Sequence, residues 1–138
     1  MKIALVVEGD PENASNLQTQ LKLLGYITFI ATTPARALNV VKVCKINLIL
    51  ISAPTRPHER RSFAGELKSI LPTATVVLIT TCDVTYFQAR SLRYSGLSAV
   101  LRGPSTLTAL WRVLESIQCG LGCHPGWVVS AAERRAPL

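Results

Sequence analysis

Five short apolar runs recur along the chain: KIALVV (2 to 7), ITFIA (27 to 31), NLILIS (47 to 52), TVVLIT (75 to 80) and SAVLR (98 to 102). They are rich in Val, Ile and Leu, and continuous runs of this kind suit strands buried on both faces. Between them the apolar positions follow a helical period. Leu17, Leu21, Leu23 and Leu24 mark a helix over 12 to 24, Ala37, Leu38 and Val41 one over 34 to 44, and Phe63, Leu67, Ile70 and Leu71 one over 59 to 71. Phe87 and Leu92 mark a fourth over 84 to 94, and Leu107, Leu110, Val113, Leu114 and Ile117 a fifth over 105 to 119. Strict alternation of strand and helix predicts a doubly wound α/β fold, a five-stranded parallel sheet with helices on both faces. The punctuation agrees: Gly25 stops the first helix, Pro11 and Pro34 sit in first helical turns, and Ser105 after Pro104 is placed to cap the last helix.

In such a sheet the functional crevice lies outside the carboxyl ends of the strands. That rule selects Glu8 to Asp10, Ser52 to Pro57, Thr80 to Asp83 and Arg102 to Pro104. No phosphate-cradling glycine loop follows the first strand, because VVEGDPEN offers acids where a bound anion needs amides, which argues against a nucleotide or flavin enzyme. Asp10 precedes Pro11 and reads as the cap of the first helix, with a metal-ligand role as the alternative.

These strand ends, LVVEGDPENA, INLILIS, VVLITT and SGLSAVLRGPS, resemble those of response-regulator receiver domains over about residues 1 to 118. The resemblance implies a flavodoxin-like (βα)5 fold with strand order 2-1-3-4-5. It also implies a phosphorylation pocket built from two magnesium-binding acids, a phosphoacceptor aspartate, a switch hydroxyl and a lysine. At the matching positions this chain has Glu8, Gly9, Ser52, Thr80 and Gly103, so the second acid, the acceptor and the lysine are all replaced. Magnesium needs several hard oxygen ligands, and phosphoryl transfer needs both that cation and a nucleophilic carboxylate. A serine hydroxyl would need a base to activate it, and His58 is the only histidine nearby in sequence. The resemblance therefore describes a degenerate pocket of Glu8, Gly9, Asp10, Ser52, Thr80 and Gly103, with no bound metal, no cofactor and no enzymatic activity expected. Val100 stands where receivers carry a switch aromatic.

The loop APTRPHERRS puts Arg56, His58, Arg60 and Arg61 beside this corner, with Arg102 across the crevice. Two readings stand: these arginines bind a small anionic ligand through guanidinium forks, or they are solvated around the start of the third helix. By the resemblance, the surface of the fourth helix, fifth strand and fifth helix is the place for a homodimer or partner contact. Its candidates here are Tyr86, Arg90, Arg93, Tyr94, Trp111 and Arg112, types enriched at binding hot spots, with Phe87 and Trp111 also readable as core.

Composition narrows the classes further. With 138 residues and 49% hydrophobic content the chain fits one domain. No apolar run reaches bilayer length and no export signal opens the sequence, so a cytoplasmic protein without membrane contact is expected. Cys44, Cys82, Cys119 and Cys123 then read as reduced thiols, and CGLGCH supplies too few ligands for structural zinc. A net charge of +7 permits an anionic partner, but the arginines are scattered and form no base-reading helix.

Residues 119 to 138 read as a linker, with one or two helical turns at VVSAAERR. This stretch is similar to the linker joining a receiver to a LuxR-type helix-turn-helix domain. The expectation is thus a phosphorylation-independent module of a transcriptional regulator, dimeric or ligand-controlled, that reaches DNA through a further C-terminal domain. The alternatives are a stand-alone protein-interaction adaptor and a small-anion sensor.

Overall fold

Strand and helix alternate over the described residues as far as Thr80, and caps show why three of the four described helices begin where they do. The computed structural model describes residues 2–52, 57–80, 98–102, 106–118 and 128–130. In chain order these form β1 (Ile3–Val7), α1 (Pro11–Leu23), β2 (Ile27–Ala31), α2 (Pro34–Val43), β3 (Leu48–Ile51), α3 (Pro57–Ile70), β4 (Thr75–Thr80), β5 (Ala99–Arg102), α4 (Leu107–Gln118) and β6 (Val128–Ser130). The helix expected over 84 to 94 lies outside the described residues, so α4 is the helix expected over 105 to 119.

Asp10 caps α1 by accepting from the Glu12 amide at 3.1 Å, and Pro11 follows at the first helical position. Thr33 caps α2 in the same way, through the Arg36 amide at 3.2 Å. The cap of α4 is Thr106, whose hydroxyl accepts from the Ala109 amide at 3.1 Å, one residue later than the Ser105 expected from sequence. α1 ends in a Schellman turn: the Tyr26 amide donates to Leu21 O at 3.0 Å and the Gly25 amide to Lys22 O at 3.1 Å. Gly25 takes φ +92, a left-handed value that a side chain would strain. The free cysteine described, Cys44, is half-buried at the end of α2.

The sheet is parallel throughout, in the order β2-β1-β3-β4-β5-β6. The expected 2-1-3-4-5 order is present, and a sixth strand extends it. Val128, Val129 and Ser130 pair with Val100, Leu101 and Arg102 of β5. Here the structure corrects the sequence reading, which gave helical turns to VVSAAERR: its first three residues are extended. Two β-branched valines suit a strand, and β5 offered an open edge to pair with.

The core lies along the central strands β1, β3 and β4, where Leu5, Leu50, Val76, Val77 and Leu78 are all fully buried. Leu21 of α1, Leu67 of α3 and Leu110 of α4 close over them. Asn47 fixes the entry to the sheet: its amide donates to Ile3 O at 2.8 Å, its Oδ1 accepts from the Ile3 amide at 2.9 Å, and its carbonyl accepts from the Thr75 amide at 3.0 Å. No described helix is long and apolar enough to cross a membrane.

β2 departs from the expectation of burial on both faces. Ile27, Phe29 and Ile30 are exposed, because the strand order puts β2 at the margin of the sheet. Leu23, expected on the inner face of α1, is also exposed. Within β2 the Thr28 hydroxyl is buried with no hydrogen-bond partner among the described residues. Thr28→Val keeps the branched shape and removes this unsatisfied group, so it is expected to stabilise the fold by about 1 kcal/mol, read as a higher urea midpoint.

Candidate functional site

Parallel strands bring the ends of β1, β3, β4 and β5 to one side of the sheet, and the ladder sets their relative heights. The Ser52 amide donates to Val7 O at 3.0 Å, which places Ser52 beside the end of β1. The Glu8 amide donates to Ala31 O at 3.0 Å, tying the same corner to β2. Thr80 pairs with Arg102 at the ends of β4 and β5. Of the expected pocket, Glu8, Gly9, Asp10 and Ser52 are thus gathered at one corner, and Thr80 and Arg102 close neighbouring strands. Gly103 lies outside the described residues.

Glu8 is the one buried charged residue among those described, at 4% exposure. Its Oε1 accepts from the Asp10 amide at 3.0 Å, so the carboxylate is held against the backbone of its own loop. Gly9 follows in an ordinary backbone conformation, since Gly25 has the only positive φ among the described glycines. A Cβ built on Gly9 would meet only Thr32 O, at 3.4 Å, which is ordinary contact. The backbone therefore does not require glycine here, and its effect is to leave out an acid.

The exposed Asp10 has the helix-capping role read from sequence, with its Oδ1 taken by the Glu12 amide. Ser52 is half-buried. The donor set does not suit magnesium, the ion the fold implies. One carboxylate is buried with an oxygen already bonded to an amide, a second is committed to a cap, and a cation of this kind wants several free hard oxygens. No cluster of three or more metal-ligating side chains occurs among the described residues.

The basic loop of the sequence reading is shorter than expected. α3 starts at Pro57, two residues earlier than the period suggested, so His58, Arg60 and Arg61 belong to the first turns of a helix. A proline at the first helical position explains the early start. Arg56 lies outside the described residues, and Arg102 is the last residue of β5.

On the expected interface, Tyr86, Arg90, Arg93 and Tyr94 lie outside the described residues. Trp111 is 49% exposed and is therefore surface, not core, with exposed Arg112 beside it. Leu107, which the periodicity assigned to the core, is exposed one turn before Trp111. The (i, i+4) spacing gives α4 an outward apolar pair, while Leu110, Val113 and Leu114 face inward. The helical period placed Leu107 on the inner stripe, but at the first position of α4 it remains exposed. β6 adds a feature that sequence reading missed: it pairs along β5 and takes that strand's backbone out of the expected contact surface.

No protein-family model matches the sequence, and a comparison with curated proteins finds no match. Solved structures do match in fold. A response regulator from Thermotoga maritima superposes with a TM-score of 0.76 at 15% identity, covering 85% of this chain and 97% of its own. A response regulator protein from Burkholderia pseudomallei, described with a phosphorylated aspartic acid, calcium ion and citrate, gives 0.73 at 18% identity over 87% of this chain and 72% of its own. The beryllofluoride-activated NtrC4 receiver domain dimer gives 0.72 at 23% identity over 88% and 97%. The chain therefore has the flavodoxin-like fold of receiver domains.

Proposed function

We propose that this chain is a receiver-type regulatory module that works without aspartyl phosphorylation, through contact with a second copy or a partner protein. The observation that carries the reading is the corner at the ends of β1 and β3. Ser52 stands where the fold's phosphoacceptor would, beside a Glu8 bonded to its own loop, with Gly9 adding no acid and Asp10 engaged as a cap. Without a cation and a nucleophilic carboxylate, phosphoryl transfer lacks both its charge neutralisation and its acceptor. Regulation then falls to surfaces. The exposed Leu107 and Trp111 on α4 support a protein contact, with the transcriptional form of the idea adding a C-terminal DNA-binding domain whose spacing a dimer would set.

A second reading, a stand-alone interaction adaptor, is favoured by β6, which returns the chain to the sheet where a linker was expected to leave it. Both share the same test. Purified protein incubated with magnesium and an acyl phosphate is expected to keep its unmodified intact mass. A stable phosphoryl adduct that disappears in Ser52→Ala would establish Ser52 as a substituted acceptor and end the reading.

A further inference from the structure

The two edges of the sheet are treated differently. The β5 edge carries β6, whereas among the described residues β2 pairs only with β1. Sheet edges are ordinarily blunted by charge, proline or a covering segment. ITFIA has neither charge nor proline, and Ile27, Phe29 and Ile30 are exposed, Phe29 at 42%.

The ladder shows which backbone groups are open. The Ile27 amide donates to Lys2 O at 2.9 Å and Ala31 O accepts from the Glu8 amide, so odd positions of β2 turn their polar groups toward β1. By the alternation of a strand, Thr28 and Ile30 turn theirs outward, away from the sheet.

Charge at the starting end of this edge has one sign, while the acids Glu8, Asp10 and Glu12 lie at its far end. Between Glu12 and Glu59 the sequence contains no acidic residue, and this stretch includes most of α1 and all of β2, α2 and β3. Lys2, Lys22, Lys42 and Lys45, all exposed, gather where β1, β2 and β3 begin. Lys2 is anchored there with its Nζ 5.6 Å from the Tyr26 ring centroid. Among the lysines sit two exposed aliphatics, Leu23 at 68% and Val43 at 82%. Lysines near helix ends complement the helix dipole, which accounts for Lys22 and Lys42 but not for Lys2, Lys45 or the bare apolar side chains. Glu66 and Glu115 are the acids on the other helices that approach this end, each about a turn back from the end of α3 or α4.

We propose that the β2 edge docks an acidic, extended segment of another protein, which adds to the sheet as an outer strand. Only a polypeptide backbone matches the open donors and acceptors of Thr28 and Ile30, with apolar side chains to cover Ile27 and Phe29 and carboxylates to meet the lysines. A second copy, pairing antiparallel across this edge, would add a strand without carboxylates and set the lysines of each chain toward Arg36 beyond the end of the other's β2, which costs affinity. A lipid surface would leave the outward amides without partners. A nucleic acid would leave the aliphatics uncovered. This surface lies at the opposite edge of the sheet from β6 and does not depend on how the corner at Ser52 works.

The test uses the whole chain, labelled with nitrogen-15, and a synthetic peptide of alternating glutamate and valine. Saturable shifts confined to Ile27–Ala31 and their flanks are expected, with slower hydrogen exchange at the Thr28 and Ile30 amides and weaker binding as salt rises. The double exchange Lys22→Glu and Lys42→Glu, at exposed positions, is expected to weaken binding about tenfold while leaving the free spectrum of the core unchanged. Absence of shifts at β2 up to millimolar peptide would overturn the proposal. So would equal binding of a lysine and valine peptide, protection of the edge by concentration alone, or protection by phosphatidylglycerol vesicles in place of the peptide.

Discussion

With Gly9 and Ser52 both exchanged for aspartate, the chain is expected to lose about 2 kcal/mol of stability in chelator and to recover much of it in magnesium. Position 52 is held beside Val7 by its 3.0 Å amide bond, and position 9 has room for a side chain short of Thr32 O. Both new carboxylates would crowd Glu8, which is already buried. Like charges in so small a space destabilise one another until a cation binds. Magnesium that bound the variant with a dissociation constant of about 1 mM would return about 1.4 kcal/mol at about 10 mM. The unaltered chain is expected to melt at the same temperature with or without magnesium. A magnesium-dependent rise in the unaltered chain would show that Glu8 and its neighbours already hold the ion, and would remove the basis of the phosphorylation-independent reading.

The second large effect concerns the core. Leu50 lies in the middle of β3, fully buried between paired strands on both sides. Leu50→Ala removes buried methyl groups and leaves a void that the flanking strands are not free to collapse into. The expected loss is about 3 to 4 kcal/mol, read as a melting temperature lower by about 10 °C. Phe29→Ser provides the contrast: on the exposed edge it is expected to change stability by no more than about 0.5 kcal/mol. A loss at Phe29 comparable to that at Leu50 would mean that the β2 edge is packed rather than open.

Much of this fold could be read from the sequence, because local chemistry and global arrangement agree. Asp10 with Pro11 and Thr33 with Pro34 announce helix starts through the hydroxyl and carboxylate acceptors that first-turn amides need. Gly25 announces a stop because its φ of +92 excludes most other residues. What could not be read is what depends on neighbours in space. ITFIA and LILI both read as apolar strands, yet one is marginal and the other central, and the strand order decides which. Val128–Ser130 is too short to carry a period, and its strand identity comes from the edge of β5. Ser105 and Thr106 are both good caps by sequence, and it is the Thr106 hydroxyl that takes the Ala109 amide.

The candidate site divides in the same way. Its members were proposed from the resemblance of the strand ends, and the capping role of Asp10 was legible from Pro11 after it. The bond from Glu8 Oε1 to the Asp10 amide was not, since a side chain folded back on its own loop has no sequence signature. That bond separates a vacant-looking acid from one already engaged.

β6 also changes what counts as a unit of this protein. The sequence places the end of the receiver-like domain at residue 118, a natural point at which to cut for expression or for fusion to another module. Such a cut would remove the strand that satisfies β5 along Val100 to Arg102 and would give the sheet a second raw margin. Unpaired margins recruit strands from other molecules. Self-association of a fragment ending at 118 would then report the trimming and not the biology, and a partner found with it could be one that merely replaces β6.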